Sequence, residues 1–223
     1  MARLPRLEIA GQAHLVIQRS NGGQAAFADR QDRQAFVAAL REAAAAAKVQ
    51  VHAYALLGTE VQLLLTPAER GALGRAVQAL GRRYVSAYNR RHGRAGTLWD
   101  GRFRAAVMEP GPTRLAALQA VDAASSEPGF TSAGHRTGAG RDPMLVDPPE
   151  FWQLGNTPFE RDAAYRARLA EGVAPAVVEW LRQAALGGWA AGSEAFAAEV
   201  AAAAARPARP RPRGRPRKAA NRS

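Results

Sequence analysis

Residues 49–67, VQVHAYALLGTEVQLLLTP, contain two apolar runs joined only by a Gly58-Thr59 turn. That spacing predicts an antiparallel hairpin and constrains the chain more than any other feature, because each neighbouring element must then pack on one sheet. Upstream, AHLVIQRS at 13–20 reads as a strand closed by SNGG at 20–23. Residues 32–48 follow as a helix, with Asp32 as its cap and Phe36, Val37 and Leu40 on one stripe. After the hairpin, residues 68–91 carry Leu73, Val77, Leu80, Tyr84 and Tyr88 at helical steps. A strand over 102–109 and a helix over about 113–124 complete the order. Strand, helix, strand, strand, helix, strand is the split βαβ or ferredoxin-like arrangement. The expected class is α+β: an antiparallel sheet with helices on one face and the other face free.

This unit is expected to occupy 1–125, followed by a Gly, Ser and Pro-rich linker at 126–150. A helical region at 151–205 comes next, with helices over about 158–171, 174–185 and 193–205, and then a disordered basic tail at 206–223. The chain has no cysteine, which excludes disulfides, thiolate metal sites and cysteine nucleophiles. Its longest apolar stretch, the Ala-rich 184–205, is interrupted by Glu194 and Glu199, so no membrane span is expected and the predicted location is the cytoplasm. Net charge is +12, but eight of the 31 basic residues lie in the last eighteen, which hold no acid. The body is therefore only mildly basic. The tail is a polycation, and its natural partner is a polyanion such as nucleic acid.

Two stretches carry candidate chemistry. In the second hairpin strand, Glu60 and Gln62 sit two apart and share a face. Two readings stand: hard oxygen ligands for Mg²⁺, or the solvated face of a strand whose other side supports the core. Residues 82–104 hold Arg82, Arg83, Arg90, Arg91, Arg94, Arg102 and Arg104 against the single acid Asp100, interleaved with Tyr84, Tyr88, His92, Trp99 and Phe103. Guanidinium forks on phosphates and rings on unpaired bases suit a single strand or a hairpin. Tyr84 and Phe103 are assigned to the core; Arg19, Tyr88, Asn89, His92 and Trp99 join the arginines in the DNA-contact set, with Trp99 open to either role. In the tail, Arg213, Gly214, Arg215, Pro216, Arg217 and Lys218 approach an AT-hook pattern, in which an extended Arg-Gly-Arg-Pro core lies in an A/T-rich minor groove. His52 neighbours the polar strand and could complete a rearranged metal site, or be a packed histidine.

HLVIQR (14–19), VHAYALL (51–57), LGRRYVSAYNRRHGRAGTLWDGRFRA (80–105), FWQLGNTPFERDAAYRARL (151–169), GGWAAGSEAF (187–196) and RGRPRK (213–218) occur in one order along nearly the full length. In these stretches the chain resembles the REP-associated tyrosine transposases, HUH-class enzymes that act on single-stranded DNA. The resemblance implies DNA as partner, bound single-stranded or as a hairpin of an imperfect palindrome, by a monomer or dimer in the bacterial nucleoid. It also implies a Pro-Asn-His-hydrophobic-His-Leu-Leu strand, where this chain has Gly58 through Leu64 with Glu60 and Gln62 in place of both histidines. Those imidazoles hold the family's divalent metal, which polarises the scissile phosphate for attack by a tyrosine. The segment matching the tyrosine helix, 114–130, contains no tyrosine, and its position falls near Val121 or Ala123. The resemblance thus implies a degenerate transposase with no catalytic residue assigned and no cofactor, Mg²⁺ or Mn²⁺ entering only through Glu60 and Gln62. The alternative is an active DNA transposase or nuclease with a rearranged site that uses Tyr84 or Tyr88.

Overall fold

The computed structural model describes residues 6–125, 127 and 130–210. Its first six elements follow the expected order: β1 (His14–Arg19), α1 (Arg30–Ala47), β2 (Val49–Leu56), β3 (Glu60–Pro67), α2 (Ala72–Arg91) and β4 (Arg104–Met108). Next come α3 (Pro112–Asp122), α4 (Gly134–Thr137), α5 (Pro149–Trp152), α6 (Pro158–Glu171), α7 (Pro175–Gly187), β5 (Ala190–Ala191) and α8 (Glu194–Ala204). The sheet order is β2-β3-β1-β4-β5. The first four strands are antiparallel, as the split βαβ reading requires, while the two-residue β5 pairs parallel to β4 and makes the sheet mixed.

Both faces of the sheet are covered. Val16, Val61, Leu63 and Leu65 pack beneath α1 and α2 in one core. Leu15, Ile17, Leu64, Ala106 and Met108 face the other way and are covered by Leu118 and Val121 of α3 and Leu181 and Ala184 of α7. The expected free face therefore belongs only to the first six elements taken alone. The signal for the second layer is in the strands: HLVI, LLL and AAVM are apolar at both parities, the pattern of strands buried on both sides.

Within β2 the ladder register shifts between Val51 and Ala53. One extra residue in a strand reverses which parity faces which layer. Val49 and Val51 accordingly point to the α1 and α2 core, as do Tyr54 and Leu56, whereas Ala53 and Ala55 point to the other. His52 lies at the bulge.

Residues 130–147, expected within a linker, are built into the molecule. Ser132 and Val146 donate backbone N–H groups to the Tyr54 and Val51 carbonyls, and Leu56 donates to Phe130. Their anchor is Arg136, 0% exposed, which bonds the His52 carbonyl at 2.6 Å and pairs with Asp122 at 3.3 Å and Asp147 at 2.8 Å. A guanidinium can be buried there because two carboxylates and a carbonyl meet it. The first residues of the expected tail are docked as well: Ala190 donates to the Ala208 carbonyl, and Ala208 packs with Leu7 and Phe196. Helix α1 begins earlier than expected. Asp29 is its cap, accepting from the Asp32 N–H, and Asp32 is a buried first-turn residue whose carboxylate accepts from Ala28. Among the described residues no helix is long and apolar enough to cross a membrane.

Candidate nucleic-acid interface

Glu60 opens β3 on the α7 side of the sheet and is 6% exposed. Arg182 of α7 meets it with both forks, Nη1 to Oε1 at 2.6 Å and Nη2 to Oε2 at 2.8 Å. Gln62 adds an amide N–H to Oε1 at 2.9 Å. Neither sequence reading anticipates this arrangement: the carboxylate is not solvated, and its charge is already met by a fixed guanidinium. A divalent ion would have to sit beside that like charge, with the Gln62 amide turned donor-first toward the same carboxylate. These residues do not fit a metal. Among the described residues, no three His, Asp or Glu side chains converge as a metal site.

His52 is not part of this cluster. Its Nδ1–H donates to the Val146 carbonyl at 2.6 Å, and its Nε2 accepts from the Thr66 hydroxyl at 2.8 Å, at the opposite end of β3 from Glu60. Six residues of strand separate the two positions, roughly 20 Å. Burial pushes the His52 imidazole down to about 4, so both bonds are those of a neutral ring. The candidate tyrosines lie across the sheet. Tyr84 is buried among Phe27, Phe36 and Trp99, its hydroxyl donating to the Ala26 carbonyl at 2.6 Å, and burial holds its phenol well above the usual range. Tyr88 donates to the Ala25 carbonyl. Both belong to the α1 and α2 core, whereas Glu60 and Gln62 face α7. On the α7 side, Val121 of α3 is fully buried and offers no nucleophile. Asp122 beside it is occupied by Ser132, Tyr165 and Arg136.

The expected DNA-contact residues divide into two groups. Arg91 binds Asp29 and Asp32, and His92 places Nε2 at 3.0 Å from both Asp32 oxygens while its ring lies 4.4 Å from Tyr88. These contacts tie the C-terminus of α2 to the N-terminus of α1, where carboxylates complement the helix dipole. Arg83 pairs with Glu42, Arg94 with Gln24, and Asn89 caps the Gly96 carbonyl. The second group consists of Arg19, Arg82, Arg90, Arg102 and Arg104, all exposed and without a side-chain partner among the described residues. Arg102 and Arg82 line a groove of about 650 Å³ between α2 and the approach to β4, together with Arg75, Gln18, Trp99 and Phe103. Trp99 presents its indole edge to Gly81 of α2, 3.8 Å from where a Cβ would stand. Its other contacts are Phe36 and Tyr84, so it is half core and half groove wall. Sequence reasoning missed Arg75, Gln18 and above all Arg182. Arg75 stands seven residues before Arg82, on the same helical stripe, and was legible; the partner of Glu60, 122 residues away, was not. Arg213 to Lys218 lie outside the described residues.

No protein-family model and no curated protein matches the sequence. Among solved structures, the chain is similar to a REP-associated tyrosine transposase bound to a REP hairpin, with 14% identity and a TM-score of 0.52 over 67% of this chain and 93% of that one. A candidate transposase from Deinococcus radiodurans R1 aligns with 18% identity and a TM-score of 0.38 over 53% of this chain and 93% of its own, a score from which a common fold does not follow. The chain has the fold of the tyrosine transposase bound to a REP hairpin.

Proposed function

We propose that this protein is a DNA-binding derivative of the REP-associated tyrosine transposases that grips single-stranded or hairpin repeat DNA without cutting it. The observation that carries the reading is the fork of Arg182 on Glu60, at the strand position where the family places its metal-binding histidines. A guanidinium locked on a carboxylate generates no activated nucleophile, and α3 supplies no phenol to attack. Arg19 lies opposite Glu60 in the β1–β3 ladder, and Arg104 lies opposite Ile17. Both extend the positive charge on that side of the sheet, and both lack a partner among the described residues. Binding is then led by phosphate contacts and falls steeply with salt. The tail motif Arg213-Gly214-Arg215-Pro216 adds a minor-groove contact to A/T-rich DNA in this reading.

The test is binding and cleavage on one set of labelled DNAs. A hairpin is expected to bind with a steep salt slope, and neither Mg²⁺ nor Mn²⁺ is expected to yield a shortened strand. Salt-independent binding, or equal binding to hairpin, random duplex and unrelated RNA, would count against the reading.

A further inference from the structure

A groove of about 460 Å³ runs between α1 and the β2 edge of the sheet. Arg30, Arg33, Val37 and Arg41 form one wall, three or four residues apart on a single helical stripe, and the other wall is Tyr54 of β2 with Phe130. β3 and β1 separate this edge from β4, and the groove shares no residue with the one between α2 and the approach to β4. No Asp or Glu lines it. Its three arginines are in different states. Arg41 pairs with Asp142 at 3.4 Å, so that end is close to neutral. At the other end Arg30 is exposed and has no partner among the described residues. Arg33 is held in place: Nη1 donates to the Asp29 carbonyl at 3.2 Å, and the guanidinium lies 3.7 Å from the centre of the Phe130 ring. Its Nε is buried and finds no acceptor among the described residues. The carboxylates beside these two arginines in the chain, Asp29 and Asp32, are both taken by Arg91.

We infer that this groove binds a small planar aromatic anion, with its carboxylate or phosphate on Arg30 and Arg33 and its ring over Val37 against Phe130. The size suits such a ligand, since small-molecule sites span about 300–1,000 Å³ and combine an apolar lining with a few placed polar groups. Unmet positive charge at one end and an apolar middle orient a molecule that has a charged head and a flat body. A buried N–H without an acceptor costs stability, and a head-group oxygen at the Arg33 end supplies the acceptor that Nε lacks. A polynucleotide matches less well, because its phosphates recur along the strand whereas the groove carries unmet charge at one end only. The groove stands whether or not the protein binds DNA, because it lies at the opposite edge of the sheet from Arg104.

The experiment is calorimetric titration of the full chain with three compounds: 2-naphthoate, its neutral amide 2-naphthamide, and adenosine monophosphate. At least one of the two anions is expected to bind, and 2-naphthoate at least about tenfold more tightly than 2-naphthamide, the scale of one hydrogen bond to a charged group. The tighter of the two anions distinguishes a carboxylate head from a phosphate head. Arg30→Ala is expected to weaken that anion about tenfold and to leave thermal unfolding unchanged, since the side chain is exposed and unpaired among the described residues. Ala38→Trp, at an exposed position that lines the same groove, fills the space and should abolish binding of the anion. Equal binding of 2-naphthoate and 2-naphthamide, no heat with either anion at millimolar concentration, or anion binding unaltered by both variants overturns the proposal and leaves the DNA-binding reading untouched. Displacement of the bound anion by saturating hairpin DNA also overturns it, because the groove would then belong to the DNA surface.

Discussion

Arg182 and Glu60 are bound to each other, yet their surroundings make them unequal: the Glu60 side chain is 8% exposed and that of Arg182 33%. Removing the arginine strands a carboxylate where water barely reaches, whereas removing the glutamate frees a long cation that can swing outward. Arg182→Ala is therefore expected to cost about 2–4 kcal/mol in urea unfolding and Glu60→Ala about 1 kcal/mol. Equal costs would mean that the pair is not buried as described. A similar contrast separates the arginines of α2. Arg82→Ala should weaken DNA binding and leave stability within about 0.5 kcal/mol, because its guanidinium has no partner among the described residues. Arg91→Ala should instead lower the urea midpoint of unfolding, because it uncouples Asp29 and the buried Asp32 from α2. Both are arginines in one basic stretch, and only the three-dimensional position of the acids at 29 and 32 tells them apart.

The elements of the first half are legible because each has one strong period. α1, β2, β3, α2 and β4 all lie within a few residues of where alternation and helical stripes place them. Two things escape that reading. One is the bulge at His52, since a parity switch inside an apolar strand changes no residue type. The other is the seating of residues 130–147, which look like a linker because they fall inside the Gly, Ser and Pro-rich stretch 126–150. Their attachment depends on Arg136, which reads as one more surface cation yet joins α3, β2 and Asp147. Arg136→Ala would leave Asp122 and Asp147 buried with their main cation gone. The expected cost is about 3–5 kcal/mol by denaturant unfolding, with amide protection lost first along residues 130–147. A cost under about 1 kcal/mol would show the segment to be held by other contacts.

For the whole molecule, two layers on one sheet decide where the proposed DNA-binding surface would lie. The α1 and α2 layer makes one wall, the α3 and α7 layer closes off the Glu60 pocket, and the open edge of β4 lies between them. The same burial makes the fold acid-sensitive. Desolvation pushes His14 and His52 down to about 4 from an ordinary 6.5, so between those values the unfolded chain binds protons that the folded chain refuses. Stability is then full above about pH 6.5 and is lost as the pH falls toward 4, by up to about 3 kcal/mol for each histidine. Unfolding free energies measured across that window should rise with pH, and the His14→Gln, His52→Gln double variant should flatten the slope; an unchanged slope would place the acid sensitivity elsewhere.

What separates a DNA-gripping scaffold from a DNA-cutting enzyme is a single gel. The full chain is incubated with an end-labelled hairpin carrying an unpaired tail, in Mg²⁺ or Mn²⁺, and the products are resolved under denaturing conditions. The expected result is DNA retained in the native complex and recovered intact, with no protein attached. A shortened strand whose new 5′ end is covalently joined to the protein would contradict it.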